Sequence, residues 1–190
     1  MNATLWALLS CLLAGIGARD QMLVAALTAR LGRHGGLLLM GCVTGALASG
    51  FAAWATREIA GQMTYPARLV LACFALAAAG IESLAFKPKF KAKEPTRSLF
   101  AAAIVLLSQQ AADAARFLVL AIALVTDAPV PAAVGGAFGT GGALLLGWLA
   151  AEGMLDAQSG IITIRRWAGT VLLGVGVGLG IWVFAEIGRY

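Results

Sequence analysis

The chain has 190 residues, of which 61% are hydrophobic and only 12% charged, with a net charge of +5 at pH 7. Because ordinary soluble domains carry about 25% charged residues, this composition excludes a soluble domain. It predicts an integral membrane protein that has the lipid bilayer as its surroundings. The positive net charge then reflects membrane topology and does not indicate nucleic-acid binding.

Polar interruptions divide the chain into six apolar segments, most of them near the ~20 residues that a membrane-spanning helix needs. In chain order the segments are 3–31, 35–56, 66–86, 98–125, 130–151 and 167–187. No basic residue precedes the first segment, so we expect it to be retained rather than removed as a signal peptide. The sequence therefore predicts an all-α polytopic membrane protein, with six transmembrane helices in a single domain, 1–190.

Two polar clusters lie inside the first and fourth segments, which are long for a straight span. Residues 15–21 are Gly-Ile-Gly-Ala-Arg-Asp-Gln, and residues 110–116 are Gln-Ala-Ala-Asp-Ala-Ala-Arg. Each cluster predicts a tilted or broken helix. An unpaired Arg or Asp at the bilayer centre costs about 2.5–3.5 kcal/mol, so these residues either neutralise one another or line a hydrated path. The candidate path residues are Arg19, Asp20, Gln21, Gln110, Asp113 and Arg116.

These charged residues could also have a purely structural role. Asp113 and Arg116 are three residues apart, so they can form an ion pair on one helix face. A buried pair of this kind can serve packing alone. Ionisable residues within spans nevertheless mark transport pathways more often than not.

The distribution of Lys and Arg predicts the orientation of the chain. Nine basic residues fall in one set of loops and three in the other, which places both termini outside by the positive-inside rule. The inner set is Arg30, Arg33, Lys87, Lys89, Lys91, Lys93, Arg97, Arg165 and Arg166, and the outer set is Arg57, Arg68 and Arg189.

The two halves of the chain resemble each other in layout. Residues 1–86 and 98–190 each hold three predicted spans, and the basic loop 87–97 separates them. At an offset of 95, Leu23 and Val24 align with Leu118 and Val119. An odd number of spans in each half predicts inverted repeats, which place a substrate site at the midplane on interrupted helices.

The remaining polar and small residues predict structural roles. The three cysteines fall in separate spans and His34 in a loop, which favours packing and solvation over a metal or redox site. Glu82, near the inner end of the third span, is expected to reach the interface. Glycine pairs spaced four apart predict close helix packing: Gly41/Gly45, Gly135/Gly139 and Gly174/Gly178. No protease-type catalytic arrangement is present in the sequence, so we expect no enzyme and no cofactor.

The layout of three plus three spans, with a charged motif in the first and fourth, resembles the Golgi-type manganese/calcium–proton antiporter family. The hallmark of that family is a twice-repeated Glu-x-Gly-Asp-Lys/Arg-Thr/Ser, often followed by Gln. In the first cluster Gly17, Arg19 and Gln21 match the motif, while residues 15 and 18 are Gly and Ala. In the second cluster Gln110 stands at the Glu position and Asp113 at the Asp position.

The resemblance implies Mn²⁺ or Ca²⁺ exchange against protons by alternating access in a bacterial-type inner membrane. It implies Asp113, Asp20 and Gln110 as metal ligands. Since Arg19 and Arg116 bring the local charge to zero, and ligand charge tunes divalent-ion affinity, we expect weak metal binding. Two alternatives remain: an exporter of a small organic or zwitterionic solute, of the amino-acid-exporter type, and an accessory membrane protein that has lost the site. Self-association into a homo-oligomer also stays open.

Overall fold

The computed structural model describes residues 2–85 and 99–187, and within these ranges every regular element is a helix. The helices in chain order are α1 (Ala3–Gly15), α2 (Arg19–Leu31), α3 (Gly35–Ala60), α4 (Tyr65–Ala85), α5 (Leu99–Ala111), α6 (Ala114–Thr126), α7 (Pro129–Leu149), α8 (Ala151–Asp156) and α9 (Gln158–Ile187). The predicted all-α fold is confirmed. The basic loop, 87–97, lies outside the described residues.

Four helices, α3, α4, α7 and α9, are long and apolar enough to cross a membrane. The pairs α1–α2 and α5–α6 are each bent at a short break, by 57° and 50°, and they bring the count to six if each pair is one span. The helix breaks predicted at the two polar clusters are therefore present. The apolar side chains that face outward along these helices suit a lipid environment.

Each break has a local cause in the sequence. At the first break Gly17 adopts a φ of +73°, a left-handed conformation that glycine reaches without a Cβ penalty. Ala18 then takes the N-cap position of α2 without any side-chain hydrogen bond. At the second break Asp113 is the N-cap of α6, and its carboxylate accepts a hydrogen bond from the backbone N–H of Ala115. Asp is among the preferred N-cap residues because it satisfies such donors.

The last span differs from its predicted bounds. Helix α9 begins at Gln158, nine residues before the predicted start at residue 167, and the short helix α8 precedes it. The sequence predicts Arg165 and Arg166 at the end of an inner loop, but both residues lie within α9. Arg165 is buried and Arg166 is exposed, so one face of this helix segment enters the protein interior.

Two of the three predicted glycine pairs, Gly41/Gly45 and Gly135/Gly139, lie at close contacts between helices. A Cβ added at Gly139 would lie 3.0 Å from Cys11 Cβ on α1, and one added at Gly41 would lie 3.1 Å from Leu144 Cδ1 on α7. The prediction for the third pair is wrong among the described residues, because Gly174 and Gly178 have nothing within 4 Å. Helix α9 instead packs on α4 through other glycines, of which Gly169, Gly176 and Gly180 approach α4 most closely.

Candidate functional site

The two helix breaks contact each other, although more than ninety residues separate them in sequence. Arg19, at the start of α2, donates from Nη2 to the carbonyl oxygen of Ala112 in the second break, at 3.3 Å. Gln110, in the last turn of α5, donates from Nε2 to Asp20 Oδ2 at 3.1 Å. The predicted path residues on the two clusters are thus brought together.

Asp20 is a buried carboxylate that is held by neutral groups. It is 3% exposed, and its Oδ1 accepts from the backbone N–H of Gln21 at 2.8 Å. Gln110 Nε2, which donates to Oδ2, also donates to the carbonyl oxygen of Gly41 at 3.2 Å. Within the described residues no Arg or Lys nitrogen lies within 4.0 Å of Asp20. The other end of the same amide, Gln110 Oε1, is buried and has no hydrogen-bond partner among the described residues.

Gln21 stabilises the first break. Its Oε1 accepts from the backbone N–H of Gly17 at 2.7 Å, and its Nε2 donates to the carbonyl oxygen of Ala143 on α7, also at 2.7 Å. Both ends of the amide are therefore engaged. The hydrogen bond to Gly17 satisfies a backbone N–H that would cost roughly several kcal/mol if it were left unpaired inside a membrane. The hydrogen bond to Ala143 attaches the bent segment to α7.

The predicted ion pair between Asp113 and Arg116 is wrong. Asp113 precedes the first residue of α6 and has an extended backbone, so the helical spacing that would bring the two side chains together does not apply. Its Oδ2 accepts from Ala115 N at 3.4 Å, and its Oδ1 lies 3.8 Å from Arg165 Nη2. Arg116 donates instead to the Gly45 carbonyl oxygen at 2.8 Å and to two hydroxyl groups, Ser49 Oγ and Thr140 Oγ1.

Two further ionised residues belong to the site and were not predicted there. Glu82 on α4 and Arg165 on α9 are each 3% exposed, and Glu82 Oε2 lies 2.6 Å from Arg165 Nη2. Arg19 Nη2 lies 3.3 Å from the other carboxylate oxygen of Glu82. The expectation that Glu82 reaches the interface is therefore wrong, because its two guanidinium partners hold it in the interior.

A periodic signal for Glu82 was present in the sequence. Ala72, Ala75, Ala79 and Glu82 follow one another at intervals of three, four and three, and all four are buried. Such spacing marks one helix face. A carboxylate on the same helix face as a row of small residues is expected to be buried. This pattern predicts the burial of Glu82 better than its position near the end of the span does.

The formal charges of the six ionisable side chains at the site sum to zero. Three carboxylates, Asp20, Glu82 and Asp113, are matched by three guanidinium groups, Arg19, Arg116 and Arg165. The sequence predicted the same sum from four of these residues. No group of three or more His, Cys, Asp or Glu side chains in the described ranges could hold a metal ion. Of the ligands that the resemblance implies, Asp20 and Gln110 are in contact, while Asp113 lies beside Arg165.

Within the described residues, these observations define an all-helical chain with a buried charged centre at two helix breaks. Four of its helices, or six spans if each bent pair counts as one, are long and apolar enough to cross a membrane, which suggests a membrane protein. Comparisons with protein-family models, curated proteins and solved structures found no match for this chain.

Proposed function

We propose that this chain is a secondary transporter that works by alternating access around the two helix breaks. The observation that carries the proposal is that the breaks contact each other and hold buried ionisable side chains, through Arg19–Ala112 and Asp20–Gln110. Non-helical backbone is tolerated at membrane depth only where protein or a water-filled cavity surrounds it. Discontinuous helices with charged residues at their ends are the usual site architecture of secondary transporters.

We further propose that the two halves are inverted repeats. Gln21 and Arg116 are 95 residues apart, and each lies in the first turn of the helix that follows a break. Each donates to a backbone carbonyl oxygen on a glycine-rich helix of the opposite half, Ala143 on α7 and Gly45 on α3 respectively. This correspondence supports a pseudo-two-fold relation, in which α3 and α7 play equivalent roles.

We place the protein in a bacterial-type inner membrane with both termini outside. With Arg165 and Arg166 removed from the nine inner-loop residues because both lie within α9, seven inner basic residues still compare with three outer ones. The positive-inside rule depends on this asymmetry, so the orientation keeps its support.

The first candidate reaction is antiport of Mn²⁺ or Ca²⁺ against protons, which the sequence resemblance implies. The resemblance implies that Asp20 and Asp113 exchange cation and proton. Because Asp113 lies beside Arg165 while Asp20 is held by neutral donors, we assign the exchange to Asp20. Asp20, Gln110 Oε1 and the Gly41 carbonyl group supply oxygens of the kind that hard cations prefer. A cation that enters would compete with the hydrogen bonds of Gln110.

A second candidate is export of a small zwitterionic solute. Among the described residues, Asp20 and Arg116 are the two site members that have no oppositely charged group within 4.0 Å. A solute with an ammonium and a carboxylate group would supply both partners without changing the net charge of the site. This match favours a zwitterion over a bare divalent ion on electrostatic grounds.

Transport by the purified protein in sealed liposomes tests the proposal. We expect either Mn²⁺ or Ca²⁺ flux that a pH gradient drives, or counterflow of labelled amino acids, and we expect Asp20→Asn to abolish it. Asp127→Asn, in the exposed pair with Arg68, is the matched control and should leave the rate unchanged. A folded protein that moves neither class of solute would favour the accessory role and refute transport.

A further inference from the structure

The guanidinium of Arg116 lies in a shell of neutral oxygens. Nη1 donates to the Gly45 carbonyl oxygen at 2.8 Å and to Ser49 Oγ, both on α3, and Nη2 donates to Thr140 Oγ1 on α7. The residue is 4% exposed. Its Nε is buried without a hydrogen-bond partner in the described part of the chain. The surrounding oxygens therefore solvate the positive charge but do not accept from every N–H group of the guanidinium.

A full positive charge in this position is not explained by an ion pair. No carboxylate lies within 4.0 Å of Arg116 among the described residues, and a buried charge is costly unless it is paired or solvated by oxygens. One backbone carbonyl and two hydroxyl groups, drawn from two facing helices, provide that solvation. Such a set of neutral oxygens resembles the shell of a bound cation more than the partner of an arginine, which prefers planar carboxylates.

The oxygen shell is also continuous with the rest of the charged centre. A Cβ added at Gly45 would lie 3.5 Å from Gln110 Nε2, and that same nitrogen donates to Asp20 Oδ2. The Arg116 shell and the Asp20–Gln110 group are therefore neighbours across one glycine. A cation placed in the shell would lie close to the one buried carboxylate that has no guanidinium partner there.

We infer that the Arg116 guanidinium is a tethered cation that fills an oxygen-lined cation site between α3 and α7. The site accepts an external hard cation, divalent or alkali, only when that guanidinium is removed. For its physiological meaning the inference rests on the proposed transport function, because a tethered charge would let the carrier return without a bound ion. A divalent substrate would then be held at Asp20 and Gln110 alone, which agrees with the weak metal binding that the sequence predicts.

The test is cation binding to Arg116→Gln in detergent, measured by titration calorimetry with MnCl₂, CaCl₂ and NaCl separately. We expect at least one of these ions to bind about tenfold or more tightly than it binds the unmodified chain, since a positive charge a few ångströms from a cation opposes it strongly even at an effective dielectric constant of about 20. Arg116→Lys keeps the charge and should bind no more tightly than the unmodified chain. Arg68→Gln removes a charge from the exposed pair with Asp127 and should also gain nothing.

Equal affinity of Arg116→Gln and the unmodified chain, for all three ions, would overturn the inference. So would an equal gain in Arg68→Gln, because the effect would then follow net charge alone. If Arg116→Gln aggregates without added salt, recovery of monodisperse protein in one of the three cations supports the inference, and failure in all of them contradicts it. Binding is measured without a gradient, so a chain that binds as expected but moves no solute in liposomes would refute only the transport function.

Discussion

Removing Glu82 should destabilise the protein strongly, because Glu82 neutralises guanidinium groups from two other helices. Its carboxylate lies 2.6 Å from Arg165 and 3.3 Å from Arg19, and both Glu82 and Arg165 are almost fully buried. In Glu82→Ala, Arg165 keeps Asp113, at 3.8 Å, as its only carboxylate among the described residues, together with the Ala14 carbonyl oxygen, at 3.5 Å. Breaking a buried ion pair on one side costs about 3–5 kcal/mol. We expect the lower end of that range, since Asp113 compensates in part.

The size of the loss should depend on charge as well as on hydrogen bonding. Glu82→Gln keeps an acceptor for Arg165, so we expect a loss of about 1–1.5 kcal/mol, the difference between a charged and a neutral hydrogen bond. In the double variant Glu82→Ala with Arg165→Ala, no charge of this pair is left alone. Its loss should be smaller than the sum of the two single losses by roughly 1–3 kcal/mol.

The assay is the free energy of unfolding from denaturant titration in detergent micelles, measured for Glu82→Ala, Glu82→Gln, Arg165→Ala and the double variant. Asp127→Asn, which removes a charge from the exposed pair with Arg68 and keeps a residue type that tolerates the φ of +51° at this position, is the matched control and should cost no more than about 1 kcal/mol. Single losses that add to within about 0.5 kcal/mol would show that the two residues are not coupled. A Glu82→Ala loss no larger than that of the control would show that Glu82 is solvated rather than buried.

Three other predictions address orientation, packing and the metal site. In a chain without its native cysteines, a Cys placed in 87–97 should be shielded from an impermeant thiol reagent in intact cells, while a Cys added after Tyr190 should react; the opposite pattern would reverse the proposed orientation. Gly80→Ala should cost about 1–3 kcal/mol, because its Cβ would lie 2.5 Å from Leu173 N on α9. Gly174→Ala, with nothing within 4 Å, should be neutral or stabilising, and equal effects of the two variants would contradict the packing of α4 on α9. Gln110→Glu adds a second carboxylate beside Asp20, so Mn²⁺ should raise the melting temperature of this variant more than that of the unmodified chain. An equal Mn²⁺-induced shift in the two proteins would exclude this position from a metal site.

The helix breaks could be predicted because their cause is local. An apolar segment too long for one straight span, with a polar cluster at its middle, contains the information in a single stretch of sequence. The first break needs the positive φ of Gly17, and the second needs a capping side chain at Asp113. Both requirements can be read from residue type.

The partners of the charged residues could not be predicted in the same way. Asp113 and Arg116 have the spacing of a helical ion pair, but the pair does not form because Asp113 is the N-cap and its carboxylate is turned towards the backbone. Arg165 was assigned to a loop because two adjacent arginines interrupt an apolar segment, yet only Arg166 of the two is exposed. Which carboxylate meets which guanidinium is decided by the packing of α4 on α9, which is contact between distant parts of the chain.

The packing at the first break limits which carboxylates of the antiporter motif, which the sequence resembles, could be introduced into this chain. A Cβ added at Gly15 would lie 2.5 Å from Ala143 Cβ, so a Glu at that position would push α1 away from α7. Restoring the motif's carboxylate at residue 110 requires no such shift, because Gln110 already has the size and the position of a Glu. The structure therefore accommodates a carboxylate at residue 110 more easily than at residue 15.

Under the proposed transport function, the engaged side chains indicate where a solute would first bind. The amide of Gln21 is used at both ends, by Gly17 and Ala143. The carboxylate of Asp113 is shared between the N-terminus of α6 and Arg165. Gln110 still has a buried oxygen with no partner in the described residues, and it directly contacts the one site carboxylate that is held by neutral donors alone. Specificity should therefore depend on Asp20 and Gln110, while Asp113 holds the second break in shape.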